Sequence, residues 1–314
     1  LRLPVPRPSE YRREEFTHLL PLFASGRIRE IYTEDRSGIL RLQRLPNGKS
    51  DMNDIKQAPV RLALPGENQG WSEGDEEERT RIAKRHENYA KGLLYFLQND
   101  AEVPGEIRAK AKAWGLARDE FVENANWPNA LYVREGRRIE GSYTFREQDT
   151  QPVEGSARAA WQKDAVAIGD YVLNNHGHHP PGELHPGLVE GDFAAPTVPF
   201  QIPFGVMQPR SVENLLVPVA VSASHVGYSA IRLEPTWTAL VHAAGVAADL
   251  ALSEGSVDVG RLQERLHRQG QATIYVSDIG ARDPRFMTIQ WAGAQGLLQG
   301  PGDAAKAMTP QRRY

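Results

Sequence analysis

The side chains best suited to chemistry crowd into one short stretch. Ser222, Ser224, His225, Ser229 and Arg232 fall within a single polar segment, and Glu234-Pro235-Thr236 follow directly. Hydroxyls donate and accept hydrogen bonds to a polar ligand or to nearby backbone. An imidazole exchanges a proton near neutral pH. A guanidinium clamps an anion. The apolar run Leu215–Val221 before the segment predicts a strand buried on both faces. Pro235 sits where the first turn of a helix tolerates proline, and an alanine-rich helix is predicted over Thr236–Leu252. The predicted motif is therefore strand, polar loop, helix. The free N–H groups and partial positive charge of that helix start suit an anionic or electron-rich ligand. A turn whose polar groups merely satisfy one another is the alternative.

Two further clusters invite chemistry. Arg134, Arg137 and Arg138 surround Glu135. Grouped guanidiniums hold a carboxylate or a polyhydroxy molecule, unless they serve only to pair with Glu135 and Glu140. His176, His178, His179 and His185 lie in a Gly/Pro-rich stretch. One histidine tract in such a stretch fixes no coordination geometry, so no metal site is assigned. Trp127 suits either the core or a sugar-stacking platform.

The elements that must position these residues are read from periodicity and punctuation. Glu76–Leu97 predicts a helix with an acidic first turn and an apolar stripe at Tyr89, Leu93, Phe96 and Leu97. Further helices are expected over Glu10–Phe23, from Pro104 to about Trp114, over Val257–Arg268 and over Arg285–Leu297. Strands are expected at Ile28–Ile31, Gly38–Leu42, Leu131–Arg134, Arg138–Phe145 and Gln201–Met207. Asn47–Gly74 and Asn174–Pro199, rich in Gly, Pro and Asn or His, read as irregular, and the tail from Gly300 as poorly ordered.

Several long blocks, in order along nearly the whole chain, resemble one family. His86-Glu-Asn-Tyr-Ala-Lys-Gly-Leu-Leu-Tyr-Phe-Leu97 is similar to its tyrosine-rich helix. Trp127 to Tyr143 resembles its block W-P-x-x-L-Y-V-R-E-x-R-R-x-x-G-x-Y, and Phe200 to Arg210 its block Y-x-I-P-Y-x-x-x-x-P-K. The segment from Glu213 to Ala248 resembles its flavin-contacting region. The family is that of FAD-dependent oxidoreductases, with relatives often labelled xanthan-lyase-like. The resemblance implies FAD as cofactor and an α/β fold with α+β character. Residues 1–205 would form a mixed-sheet substrate domain, 206–255 the strand-helix part of an FAD domain, and 256–314 a helical extension. It implies cofactor contacts from Ser222, Ser224, Ser229, Arg232, Glu234, Pro235 and Thr236. His225, His176 and Arg134 would face the reaction. His176 is the first choice of general base, and Asn174 stands where the family shows an aspartate. The implied reaction is hydride transfer from a polar, sugar-like substrate to flavin N5. The family's dinucleotide fingerprint G-x-G-x-x-G is absent from these residues, so a Rossmann segment or subunit is the expected partner.

Composition narrows the alternatives. The 314 residues carry a formal net charge of −3, which gives no basic field for nucleic acid. No apolar run has the length of a membrane span. The absence of cysteine excludes disulfides, thiolate metal sites and cysteine nucleophiles. A polysaccharide lyase would need a Tyr/His/Arg set on a sugar-binding scaffold and no flavin, which fits the Ser/His segment and its following helix less well. The rival of another class is a non-catalytic, partner-binding chain without FAD.

Overall fold

The computed structural model describes residues 2–34, 38–55, 58–176, 179–181 and 189–298. In chain order the strands are β1 (Arg2–Leu3), β2 (Tyr32–Thr33), β3 (Leu40–Arg44), β4 (Ser50–Asp54), β5 (Leu116–Ala117), β6 (Ala165–Gly169), β7 (Leu173–Asn175), β8 (His179–Pro181), β9 (Val189–Glu190), β10 (Phe193–Ala195) and β11 (Phe200–Pro203). The helices are α1 (Leu20–Ala24), α2 (Glu76–Asn99), α3 (Gly105–Lys112), α4 (His225–Ile231), α5 (Glu234–Glu254), α6 (Val259–Arg268) and α7 (Phe286–Ala294). The fold is mixed α/β with α+β character, because the strands pair in small sheets of two or three. Two compact units result, residues 1–133 with 176–192, and residues 134–175 with 193–314.

In the first unit, α2 forms because its start is capped and acidic. The Asp75 side chain accepts from the Glu78 amide at 2.9 Å, and Glu76–Glu78 favour the positive helix end. Its apolar stripe, Tyr89, Leu93, Phe96 and Leu97, packs with Phe16, Leu19, Ile31 and Leu40. Gly92 allows that approach, since a Cβ there would lie 3.2 Å from the Phe16 ring. Trp127 is placed under Lys91, whose Nζ lies 4.6 Å from the ring centroid. One indole face thus serves a cation–π contact rather than a ligand.

In the second unit, β6 and β11 pair antiparallel, and α5 and α6 pack with them. The buried positions of α5 are Leu240, Ala243, Ala247 and Leu250, one face of a 3.6-residue period. Alanines on that face let the helix axis come close to Val166, Ala167 and Ile202. Gly255, in the left-handed region at φ 78, ends the helix.

The structure corrects several expectations. Leu215–Val221 is not a strand: Leu215 and Val219 are exposed and Pro218 has no N–H for a ladder. Val217 and Ser222 still donate to the Met207 and Val206 carbonyls at 2.9 and 2.8 Å, so the run is extended but irregular. The predicted polar loop contains α4, because Ser224 caps a helix there. Residues 131–134 and 138–145 likewise form no ladder. Among them only single bridges occur, Gly141 with Pro209 and Phe145 with Ala223. Ile28–Ile31 is not a strand, and its neighbour begins at Leu40 rather than Gly38. Gln201–Met207 splits into β11 and a 3-10 turn at Phe204–Met207. Glu10–Phe23 is broken into 3-10 turns before α1. The stretches read as irregular hold β4 and the short strands β7 to β10. His178, His185 and the tail from Gly300 lie outside the described residues.

Candidate active site

The centre of the second unit's polar cluster is Glu135, which from the sequence alone is only a partner for the neighbouring arginines. His225 Nδ1 lies 3.0 Å from its Oε2, Arg232 Nε 3.8 Å from its Oε1, and Arg138 Nη1 4.0 Å from its Oε2. The side chains of Glu135 and Arg232 are 18% and 3% exposed, whereas that of His225 is 43% exposed. The carboxylate and one guanidinium are therefore interior, and the imidazole reaches solvent. Oε2 is buried and takes no aligned hydrogen bond among the described residues, so the His225 contact is an ion pair in distance and not yet a hydrogen bond in direction. One carboxylate thus faces two guanidiniums and an imidazole.

Each member is held from behind. Arg232 donates to the Asn174 carbonyl at 2.9 Å and its guanidinium carbon lies 5.9 Å from the Tyr171 ring centroid. Asn174 donates in turn to the Tyr171 hydroxyl at 2.9 Å. The position where the resemblance expects an aspartate thus braces an arginine through its backbone. Arg138 donates to the Ala223 carbonyl at 3.1 Å and its guanidinium lies 5.2 Å from the Tyr228 ring centroid. His225 opens α4, whose start is fixed by the Ser224 hydroxyl accepting from the Gly227 amide at 3.0 Å.

The extended segment carrying Glu135 and Arg138 is clamped on two sides. Ile139 and Phe145 donate to the Ala220 and Ser222 carbonyls at 3.0 Å, and Ser142 to Gln208 at 2.9 Å. Gly141 makes this approach feasible, since a Cβ there would fall 2.7 Å from Ser222 Cβ. Farther along, the Tyr143 hydroxyl donates to Asp149 at 2.5 Å. Burial, with that carboxylate beside it, pushes the phenol up to about 12.

The remaining expected site residues divide by burial. Ser222 is buried, its hydroxyl 3.2 Å from that of Thr144. Ser229 is buried, donating to the Val226 carbonyl at 2.7 Å and accepting from the Asn174 amide at 3.2 Å. Both hydroxyls hold the segment's shape, as does that of Ser224. Glu234 and Pro235 are exposed, Thr236 half-buried. Arg134 is half-buried where the second unit begins, and His176 is half-buried in the first unit. No group of three or more metal-ligating side chains converges among the described residues.

The start of α5, like those of α1, α3 and α7, has no side-chain cap, unlike those of α2, α4 and α6. Asp75, Ser224 and Asp258 cap the latter three, whereas Leu233 stands at the N-cap of α5 and offers no acceptor. Beside it, the Trp237 indole N–H is buried without a hydrogen-bond partner among the described residues. An uncapped helix start and an orphaned donor favour an electron-rich group. Residues 2–266 match the family described as FAD dependent oxidoreductase. The chain belongs to that family. FAD is accordingly its cofactor and oxidoreduction its general function. The search of curated proteins and that of solved structures found no match. The α5 start and the orphaned Trp237 N–H fit the electron-rich edge of a flavin. No helix among the described residues is long and apolar enough to cross a membrane.

Proposed function

We propose that this FAD-dependent oxidoreductase oxidises a polar, sugar-like substrate, with His225 as the proton acceptor at the reacting hydroxyl or amine. The observation that carries the reading is the 3.0 Å approach of His225 Nδ1 to the Glu135 carboxylate beside two arginines. With Nδ1 turned to Glu135, the partly exposed imidazole is assigned to take the substrate proton. The carboxylate then stabilises the imidazolium that forms, as a carboxylate behind a catalytic histidine does. Catalytic hydrogen bonds commonly tighten only in the substrate complex, which accommodates the unaligned contact seen here.

When bound, the flavin supplies the hydride acceptor. The chain's own residues do the rest. Glu234, Pro235 and Thr236 present the uncapped α5 start to the flavin edge, and Arg232 adds fixed positive charge. Ser222, Ser224 and Ser229 shape the turn between them. Arg134 is assigned to the substrate side by resemblance.

The test uses the protein loaded with FAD and treated anaerobically with sugars, sugar acids and polyols. Bleaching of the visible flavin band by one of them supports the reading. His225→Gln should keep FAD but slow bleaching by about 10²–10⁴-fold, the usual worth of a general base. An unchanged rate would remove His225 from the reaction.

A further inference from the structure

A second candidate site shares no residue with the Glu135 cluster. A cavity of about 460 Å³ opens where the Trp161–Asp164 segment meets the start of α6 and the end of α7. That volume is typical of small-molecule sites. Trp161 forms one wall and is 49% exposed, yet it is not loose. Its indole N–H donates to the Gly293 carbonyl at 3.0 Å. Its ring lies against Gly296, where a Cβ would sit 3.3 Å from Cε2, and φ of 72 there also favours glycine. A large aromatic with its only polar atom satisfied and its ring braced is a preformed platform.

The polar lining is equally fixed. Asp164 accepts from the Gly205 amide at 3.3 Å, and Asp258 accepts from the Arg261 amide at 2.8 Å as the cap of α6. Each carboxylate is thereby set in direction. Gln263, 4% exposed, donates to the Lys163 and Ala165 carbonyls at 3.0 Å and forms a rigid floor. Gln295 and Lys163 complete the polar rim. Two carboxylates against one lysine disfavour phosphates and carboxylates. The lysine in turn disfavours an organic cation.

We propose that this cavity binds a neutral saccharide. The C–H face of a sugar ring rests on the electron-rich indole face. Its hydroxyls meet carboxylate, amide and ammonium groups that both donate and accept. Ala294, Gln295 and the two glycines bracing Trp161 lie beyond the family-matched residues 2–266, whereas Trp161 and the rest of the lining lie within them. The assignment stands whether or not the flavin reading does.

The test is saturation-transfer NMR on the full chain with cellotetraose and maltotetraose as probes. Saturable binding of at least one is expected. Trp161→Ala should weaken it at least about tenfold, Trp161→Phe should retain most of it, and His225→Gln should leave it unchanged. Should Trp161→Ala not fold, Gln295→Ala, at an exposed position, should weaken binding severalfold. No saturable binding of either tetraose, binding that ignores both substitutions, or capture of choline in their place would overturn the proposal.

Discussion

Glu135 Oε2 and His225 Nδ1 stand 3.0 Å apart, and the same carboxylate faces the interior guanidinium of Arg232. Removing the charge therefore acts twice. Glu135→Gln should slow flavin reduction by one to two orders of magnitude, because the imidazolium formed in the reaction loses its counter-charge. It should also destabilise the fold by about 1–3 kcal/mol, because a 3% exposed guanidinium loses its carboxylate partner. Glu135→Asp should recover part of both. Stopped-flow reduction and chemical unfolding separate the effects. Equal rates for wild type and Glu135→Gln would make the cluster structural only.

The Ser224 hydroxyl caps α4 and so sets where His225 points. Ser224→Ala should cost about 1 kcal/mol, the usual worth of a helix cap. Ser224→Asn or Ser224→Thr should cost less. If the cap positions the histidine, turnover falls in parallel with stability across these variants while FAD content holds. A collapse of FAD content in Ser224→Ala alone would instead mark the hydroxyl as a direct cofactor contact.

The long periodic helices were legible in the sequence. Glu76–Leu97 carries its own cap and stripe, and Thr236–Leu252 its proline start, and the structure extends each by only a few residues. Positions 131–145 and 215–221 were not legible as they are. Their hydrogen bonds run singly to 205–210 and 220–223, Pro209 and Pro218 interrupt any regular ladder, and no local pattern records such pairing. The same long-range pairing brings Glu135 to His225, ninety positions later in the chain. The sequence reading saw both clusters, and only tertiary structure makes them one. Ser224, by contrast, carries a local signal, because a serine is a preferred helix N-cap and here opens α4.

Leu233 leaves the start of α5 uncapped. Leu233→Asp should cap it and stabilise the helix by about 1 kcal/mol. If that helix start faces the flavin, the added carboxylate opposes the negative charge of the reduced cofactor and lowers its reduction potential, while Leu233→Asn caps without the charge and shifts it less. Potentiometric titration of the two loaded variants beside wild type reads the difference. Identical potentials would place the flavin elsewhere.

His267 is 3% exposed at the end of α6, with Nε2 2.8 Å from the Thr273 hydroxyl. Burial pushes its pKa down to about 4 from the ordinary 6.5. The folded protein therefore keeps the ring neutral where the unfolded chain binds a proton. The resulting stabilisation is fully present above pH 6.5 and is lost as pH falls from there toward 4. Its ceiling is about 3 kcal/mol. His267→Gln removes the titrating group and keeps a polar partner for Thr273. Urea unfolding at pH 7.5 and pH 5 should show the variant losing less stability across that interval than wild type. Equal losses would mean that His267 does not set the acid limit of this fold.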